Sequence, residues 1–142
     1  MKILIINGPN INMLGKRDPE IYTEKTYDDL LEMIAAKALD LNMEVEVFQS
    51  NHEGAIIDRI QDALSDGTEG LIINPGAFTH YSYAIFDALE LLFMPKIEVH
   101  ISDIHARESF RAVSVTEPSC DEQIAGMGFE GYLLAMEKIS EM

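Results

Sequence analysis

Two periods of apolar and polar positions take turns along the chain. "KILIIN" at the start is almost continuously apolar, which predicts a strand buried on both faces over residues 2–7. Residues 26–41 then carry apolar positions at helical spacing behind Thr26 and Asp29, a capping-box-like entry to a helix. "EVEVFQ" returns to strand over 44–49, a helix is expected over 53–64, and "LIIN" at 71–74 forms a third strand. A helix over 82–93 leads through Pro95 to the strand "KIEVHI". A last strand is expected near 111–115 and a closing helix over 129–139. Strand and helix in strict turn predict an α/β fold: a doubly wound, five-stranded parallel sheet with helices on both faces.

One strand breaks its own pattern. In "IEVHISDIHARESFR", Ile97, Val99 and Ile101 fall on one face, while Glu98 and His100 fall together on the other. On a surface strand of an antiparallel sheet such a pair would simply face water. In a sheet covered on both sides it would be buried, and a buried acid beside a buried imidazole is tolerable only if the two are paired and hydrogen-bonded. The predicted architecture therefore favours a pair selected for chemistry.

Ligands in such sheets sit beyond the carboxyl ends of the strands. Three segments follow those ends: "NGPNINMLGKRDPEIY" after the first strand, "NPGAFTH" after the third and "SDIHARESFR" after the fourth. The first is long for a compact domain, and it carries an Arg and a Tyr able to fold over a ligand. Of four arginines, Arg17, Arg107 and Arg111 fall in these segments and Arg59 alone on a helix, which suits a small anionic substrate. The alternative is that Arg107 and Arg111 only neutralise acidic neighbours. Neither GxxxxGK[ST] nor GxGxxG follows the first strand, and Asn74 stands where a phospho-acceptor receiver needs an Asp. "SNHEG" is explained by Ser50 or Asn51 capping the next helix, with His52 structural.

Composition narrows the partners. With 142 residues and 47% hydrophobic content, the chain is expected to form one domain over residues 1–142 around one core. A formal charge of −15 and a pI near 4.4 exclude a surface built for nucleic acid or anionic lipid. The start lacks a signal-peptide pattern, and no apolar run approaches the ~18 residues a membrane span needs, so a cytoplasmic protein is expected. The single cysteine, Cys120, gives neither a disulfide framework nor metal spacing.

"NGPNINMLGKRDPEIY", "NPGAFTH", "IEVHISDIHARESFR" and the closing "GMGFEGYLLAM" together resemble the type II 3-dehydroquinate dehydratases, shikimate-pathway enzymes that dehydrate 3-dehydroquinate to 3-dehydroshikimate. The resemblance covers nearly the whole chain. It implies a flavodoxin-like catalytic domain with no cofactor and no metal. It places the catalytic base at Tyr22, with Asn10 holding the enolate directly or through a water. It implies contacts to the substrate's carboxylate and hydroxyls from Asn74, His80, Arg111 and the backbone amides of Ile101 and Ser102, with Arg107 helping to close the site. It also implies a homododecamer of four trimers, in which an acid at the position of Asp87 completes a neighbouring subunit's site.

The chemistry can be rebuilt from the residues. Removing water from a β-hydroxy ketone requires a base for the proton alpha to the carbonyl, a holder for the enolate and an acid for the departing hydroxyl. Bringing a phenol from ~10 toward ~7 takes roughly 4 kcal/mol. One guanidinium about 4 Å away at an effective dielectric near 20 supplies about that much, which makes Arg17 the expected activator of Tyr22. His100 is the expected general acid, with Glu98 holding its ring. The competing reading is a flavodoxin-like binding or regulatory module that keeps a small-anion pocket without turnover. The helix "SYAIFDALELLFM" bears on assembly. Its apolar surface wraps beyond the single stripe needed to cover its own sheet, and a domain of this size has no third layer to bury the remainder.

Overall fold

The computed structural model describes residues 1–16 and 25–142. Arg17 and Tyr22 lie outside the described residues.

Five parallel strands form one sheet in the order β2-β1-β3-β4-β5. They are β1 (Lys2–Asn7), β2 (Glu44–Gln49), β3 (Gly70–Asn74), β4 (Lys96–His100) and β5 (Glu122–Ala125). Between them run α1 (Tyr27–Asp40), α2 (Glu53–Asp62) and α3 (Tyr83–Glu90), and α4 (Glu130–Glu141) closes the chain. The direction of winding reverses at β1 and β3, which are register partners from Ile3 opposite Gly70 to Asn7 opposite Asn74. The crevice at such a reversal, beyond the strand ends, is where the fold places ligands.

Strand alternation divides the core in two. Ile3, Ile5, Ile72, Ile97 and Val99 pack with α1 and α4, while Leu4, Ile6, Leu71 and Ile73 pack with α2 and α3. The central strands are apolar on both sides because helices cover both sides. α1 starts as its sequence predicts: the Thr26 hydroxyl accepts from the Asp29 N–H at 3.2 Å and the Asp29 carboxylate accepts from the Thr26 N–H at 2.8 Å.

Three expectations are corrected. The last strand is not at 111–115. Residues Ser109–Arg111 form one helical turn, and the backbone at 113–115 is held by the preceding loop, with the Val115 N–H donating to the Thr79 carbonyl at 2.7 Å. The edge position is taken by Glu122–Ala125, where only Ile124 is buried. An edge strand needs no second apolar row, so its pattern is weak.

The helix expected over 82–93 is α3, ending at Glu90. The Lys96 ammonium donates to the carbonyls of Leu89 and Leu92 at 2.8 and 2.9 Å, satisfying groups that a continuing helix would have used. Neither Ser50 nor Asn51 caps α2. His52 holds that position without a side-chain bond, its N–H donating to the Ser50 hydroxyl, while Asn51 turns to the loop after β1.

Candidate active site

At the carboxyl end of β1 and β3 the two loops nearly touch. Gly8 donates its N–H to the Asn74 carbonyl at 2.8 Å, and a Cβ at Gly8 would lie 2.4 Å from the Pro75 oxygen. Only glycine allows that approach. Two residues on, Asn10 takes a left-handed conformation, φ 68°, and its N–H donates to the Asn51 side-chain oxygen at 3.1 Å. Asparagine tolerates this backbone better than most residues. Gln49 donates to the Gly8 carbonyl at 3.1 Å, so the end of β2 braces the same turn.

Beneath the turn lies a buried polar network. The Tyr132 hydroxyl, from α4, donates to the Asn7 side-chain oxygen at 2.6 Å and accepts from the Asn74 amide at 2.9 Å. The Asn74 oxygen accepts from the Gly76 N–H at 3.1 Å. Asn74 is therefore largely committed to the scaffold, with its second amide hydrogen left for the cleft it lines.

Glu98 and His100 are both buried, on the α2/α3 face of β4, with His100 Nε2 2.9 Å from Glu98 Oε2. Glu98 is fully enclosed, and every neighbour donates. The hydroxyls of Thr79 and Thr116 reach Oε1, while Ser114 at 2.8 Å and the Gln123 amide at 2.8 Å reach Oε2. Burial alone would raise the carboxyl's pKa. The hydrogen bond and charge of His100, then Thr116 and Gln123, outweigh it and hold Glu98 below the usual carboxylate range. A carboxylate can only accept, so His100 Nε2 carries a proton and Nδ1 is the nitrogen left for the cleft. As a general acid His100 must carry protons on both nitrogens.

The far wall is the segment after β4. The carbonyls of His100 and Ser102 accept from Gly126 and that of Ile101 from Gly128. The N–H groups of Ile101 and Ser102 meet no acceptor among the described residues, so two donors stand at the strand end. Arg107 and Arg111 line the same cleft. Arg111 Nε donates to Glu108 at 2.7 Å, and Arg107 Nε lies 3.8 Å from the same carboxylate. Neutralisation of an acidic neighbour thus occurs, with Glu108 set against both guanidinium groups.

His80 donates through Nδ1 to the Val113 carbonyl at 2.8 Å, in the tautomer that this acceptor requires. Partial burial lowers its pKa; the bond to Val113 opposes this, and His100, Arg111 and Arg107 add to the lowering. A neutral His80 keeps Nε2 for a ligand hydroxyl.

The cleft thus gathers Asn10, Asn74, His80, His100, Ile101, Ser102, Arg107 and Arg111. Glu98 stands behind His100, and no lysine lines the cleft among the described residues. Asp87 is not in this lining; it lies on the exposed side of α3. Sequence reasoning missed Thr79, Ser114, Thr116 and Gln123, which carry no charge and meet only in the fold. Among the described residues, no group of three or more His, Cys, Asp or Glu side chains is placed to hold a metal. Cys120 is half-buried beside Ser119, and desolvation, with the Glu98 charge, pushes its thiol up to about 12. No described helix is long and apolar enough to cross a membrane.

The family model described as "Dehydroquinase class II" matches residues 1–140. The chain is 58% identical over 143 residues to the 3-dehydroquinate dehydratase of Lachnospira eligens, covering 100% of this chain and 97% of that one. It is 60% identical over 142 residues to the enzyme of the same name from Thermotoga neapolitana, covering 100% and 96%. Its fold superposes on the crystal structure of type II dehydroquinase from Butyrivibrio crossotus with a TM-score of 0.96 at 56% identity, covering 98% of this chain and 97% of that one.

Proposed function

The chain belongs to the class II dehydroquinase family, and from that premise we propose that it dehydrates 3-dehydroquinate to 3-dehydroshikimate in the shikimate pathway, by acid–base elimination without a cofactor. The observation that carries the mechanism is the enclosed Glu98–His100 pair opening onto a cleft with two arginines and two backbone N–H donors at its far wall.

The substrate carboxylate sits against the amides of Ile101 and Ser102, and its ring hydroxyls meet Asn74, His80 and Arg111. Arg107, on the same wall, helps to close the site. Tyr22, activated by Arg17, takes the proton from the carbon between the ketone and the hydroxyl-bearing carbon. The electron pair moves onto the carbonyl oxygen as an enolate held by Asn10. Collapse of the enolate restores the carbonyl and forms the ring double bond as the carbon–hydroxyl bond breaks. The Nδ1 proton of His100 goes to the hydroxyl, which departs as water. Glu98 holds the ring throughout and offsets the charge on the imidazolium.

The product is a conjugated enone and the substrate is not, so ultraviolet absorbance on adding 3-dehydroquinate tests the reading. A rise in absorbance is expected. Saturable binding of 3-dehydroquinate with no rise would overturn the proposal in favour of a binding module. The working assembly is a cytoplasmic homododecamer of four trimers in which Asp87 completes a neighbour's site. The family resemblance supports it, and so do the exposed apolar side chains around α3.

A further inference from the structure

Glu98 is held from two sides, and the two sides have different work. Its Oε1 meets the hydroxyls of Thr79 and Thr116, which also contact each other at 2.6 Å. Its Oε2 is the oxygen that meets His100, and two further groups fix it, Ser114 and Gln123. Gln123 stands directly opposite Glu98 in the β4–β5 register, so their side chains share a face. Its amide donates at 2.8 Å, and the orientation is set by chemistry, since an ionised carboxylate takes only donors. The amide oxygen then turns outward, 3.5 Å from the exposed His105 ring.

We propose that Gln123 is a positioning residue for the elimination: by holding the Glu98 oxygen that receives His100, it fixes the general acid's ring against the leaving hydroxyl. The final torsion of a glutamate is soft. Without Gln123, Oε2 keeps only Ser114 besides His100, and the carboxylate can swing about its held Oε1. The His100 ring follows its partner. Misplacing a catalytic group by about 1 Å costs up to roughly a hundredfold in rate. A residue without charge on an edge strand, touching no substrate, thereby affects turnover and leaves binding alone.

This inference rests on the dehydratase reading, and turnover of 3-dehydroquinate by the unaltered protein separates the two: its absence would sink both, whereas turnover that the variants leave unchanged would sink this one alone. The test is kcat, KM and thermal melting of Gln123→Met and Gln123→Glu. Methionine keeps the volume and removes the donor; kcat per folded enzyme should fall about tenfold to a hundredfold with KM within about twofold, beyond what the loss of one donor to Glu98 takes from the melting temperature. Glutamate keeps the shape and sets a second carboxylate against Glu98, so kcat should fall further than in the methionine variant. The order Gln, Met, Glu in kcat is the expected signature. Unaltered kcat in Gln123→Met would overturn the proposal. So would equal losses in the two variants, a loss confined to KM, or activity that only tracks the amount of folded protein.

Discussion

The Tyr132 hydroxyl donates to the Asn7 side-chain oxygen at 2.6 Å across 125 residues of chain, tying α4 to the end of β1. The Tyr132 hydroxyl in turn accepts from the Asn74 amide, so one buried hydroxyl serves both strands at the point where the winding reverses. Burial raises the Tyr132 pKa above the ordinary phenol range, so the donor persists at any working pH. Tyr132→Phe leaves a buried acceptor on Asn7 and a buried donor on Asn74 unsatisfied. Stability should fall by about 1–3 kcal/mol in urea unfolding. Since Asn74 lines the cleft, kcat/KM should fall with it; unchanged stability would show that water replaces the hydroxyl at no cost.

Glu98 predicts the acid limb of stability. Its folded-state pKa is depressed, so the folded protein binds this proton less readily than the unfolded chain. That contribution is fully present above the unfolded value, about 4.5, and is lost as pH falls through the folded value. Urea midpoints of the unaltered protein should decline below pH ~4.5 more steeply than those of Glu98→Gln, which has no such proton to bind. Parallel declines would place the acid sensitivity elsewhere.

Gly8→Ala tests the contact between the loops after β1 and β3. The added Cβ would lie 2.4 Å from the Pro75 carbonyl oxygen, a backbone atom with no rotamer to escape by. The loops must separate, at a cost of about 1–3 kcal/mol typical of overpacking. Because Asn10 follows on one loop and Asn74 precedes on the other, kcat should fall as well as the melting temperature.

How much of this was legible in sequence varies by physical cause. β1 and β3 could be read because central strands of a covered sheet are continuously apolar, β2 and β4 by their alternation, and α1 because its capping box is a local signal. β5 was displaced onto "RAVSV", whose β-branched alternation imitates a strand. Its Val113 is 63% exposed, and its backbone hydrogen bonds go to His80 and Thr79 instead of a neighbouring strand. Glu98 and His100 stood out because charge in an apolar strand is anomalous at short range. Ser114, Thr116 and Gln123 did not, since an uncharged polar residue in a loop or edge strand is ordinary until tertiary structure aims it at a buried carboxylate.

For the proposed acid and base, His100→Ala and Tyr22→Phe should each lower kcat by at least the ~10²-fold typical of lost acid–base catalysis. The two should differ in stability. His100→Ala leaves Glu98 enclosed with one donor fewer, so its melting temperature should drop at neutral pH. Near-native turnover in either variant would remove the mechanism.

The proposed assembly can be tested around α3. Phe93 is 96% exposed and Tyr83 69%, and Leu91, 47% exposed, stands near them just past the end of the helix. The inner side of α3 is already spent, with Ile85, Ala88 and Leu89 buried against the sheet. Single exposed apolar residues are ordinary, but three on α3 and the turn that follows it are the surface on which the proposed assembly can be tested. A second copy is the occupant proposed: Asp87 and Glu90 share the exposed side of α3, and Arg107 and Arg111 line the cleft. Light scattering or analytical ultracentrifugation at micromolar concentration should show a species far above 15.9 kDa. Phe93→Arg should shift it toward smaller forms, and Asp87→Arg should weaken both assembly and activity. A fully active 15.9 kDa monomer would overturn the interface while leaving Glu98, His100 and their partners untouched.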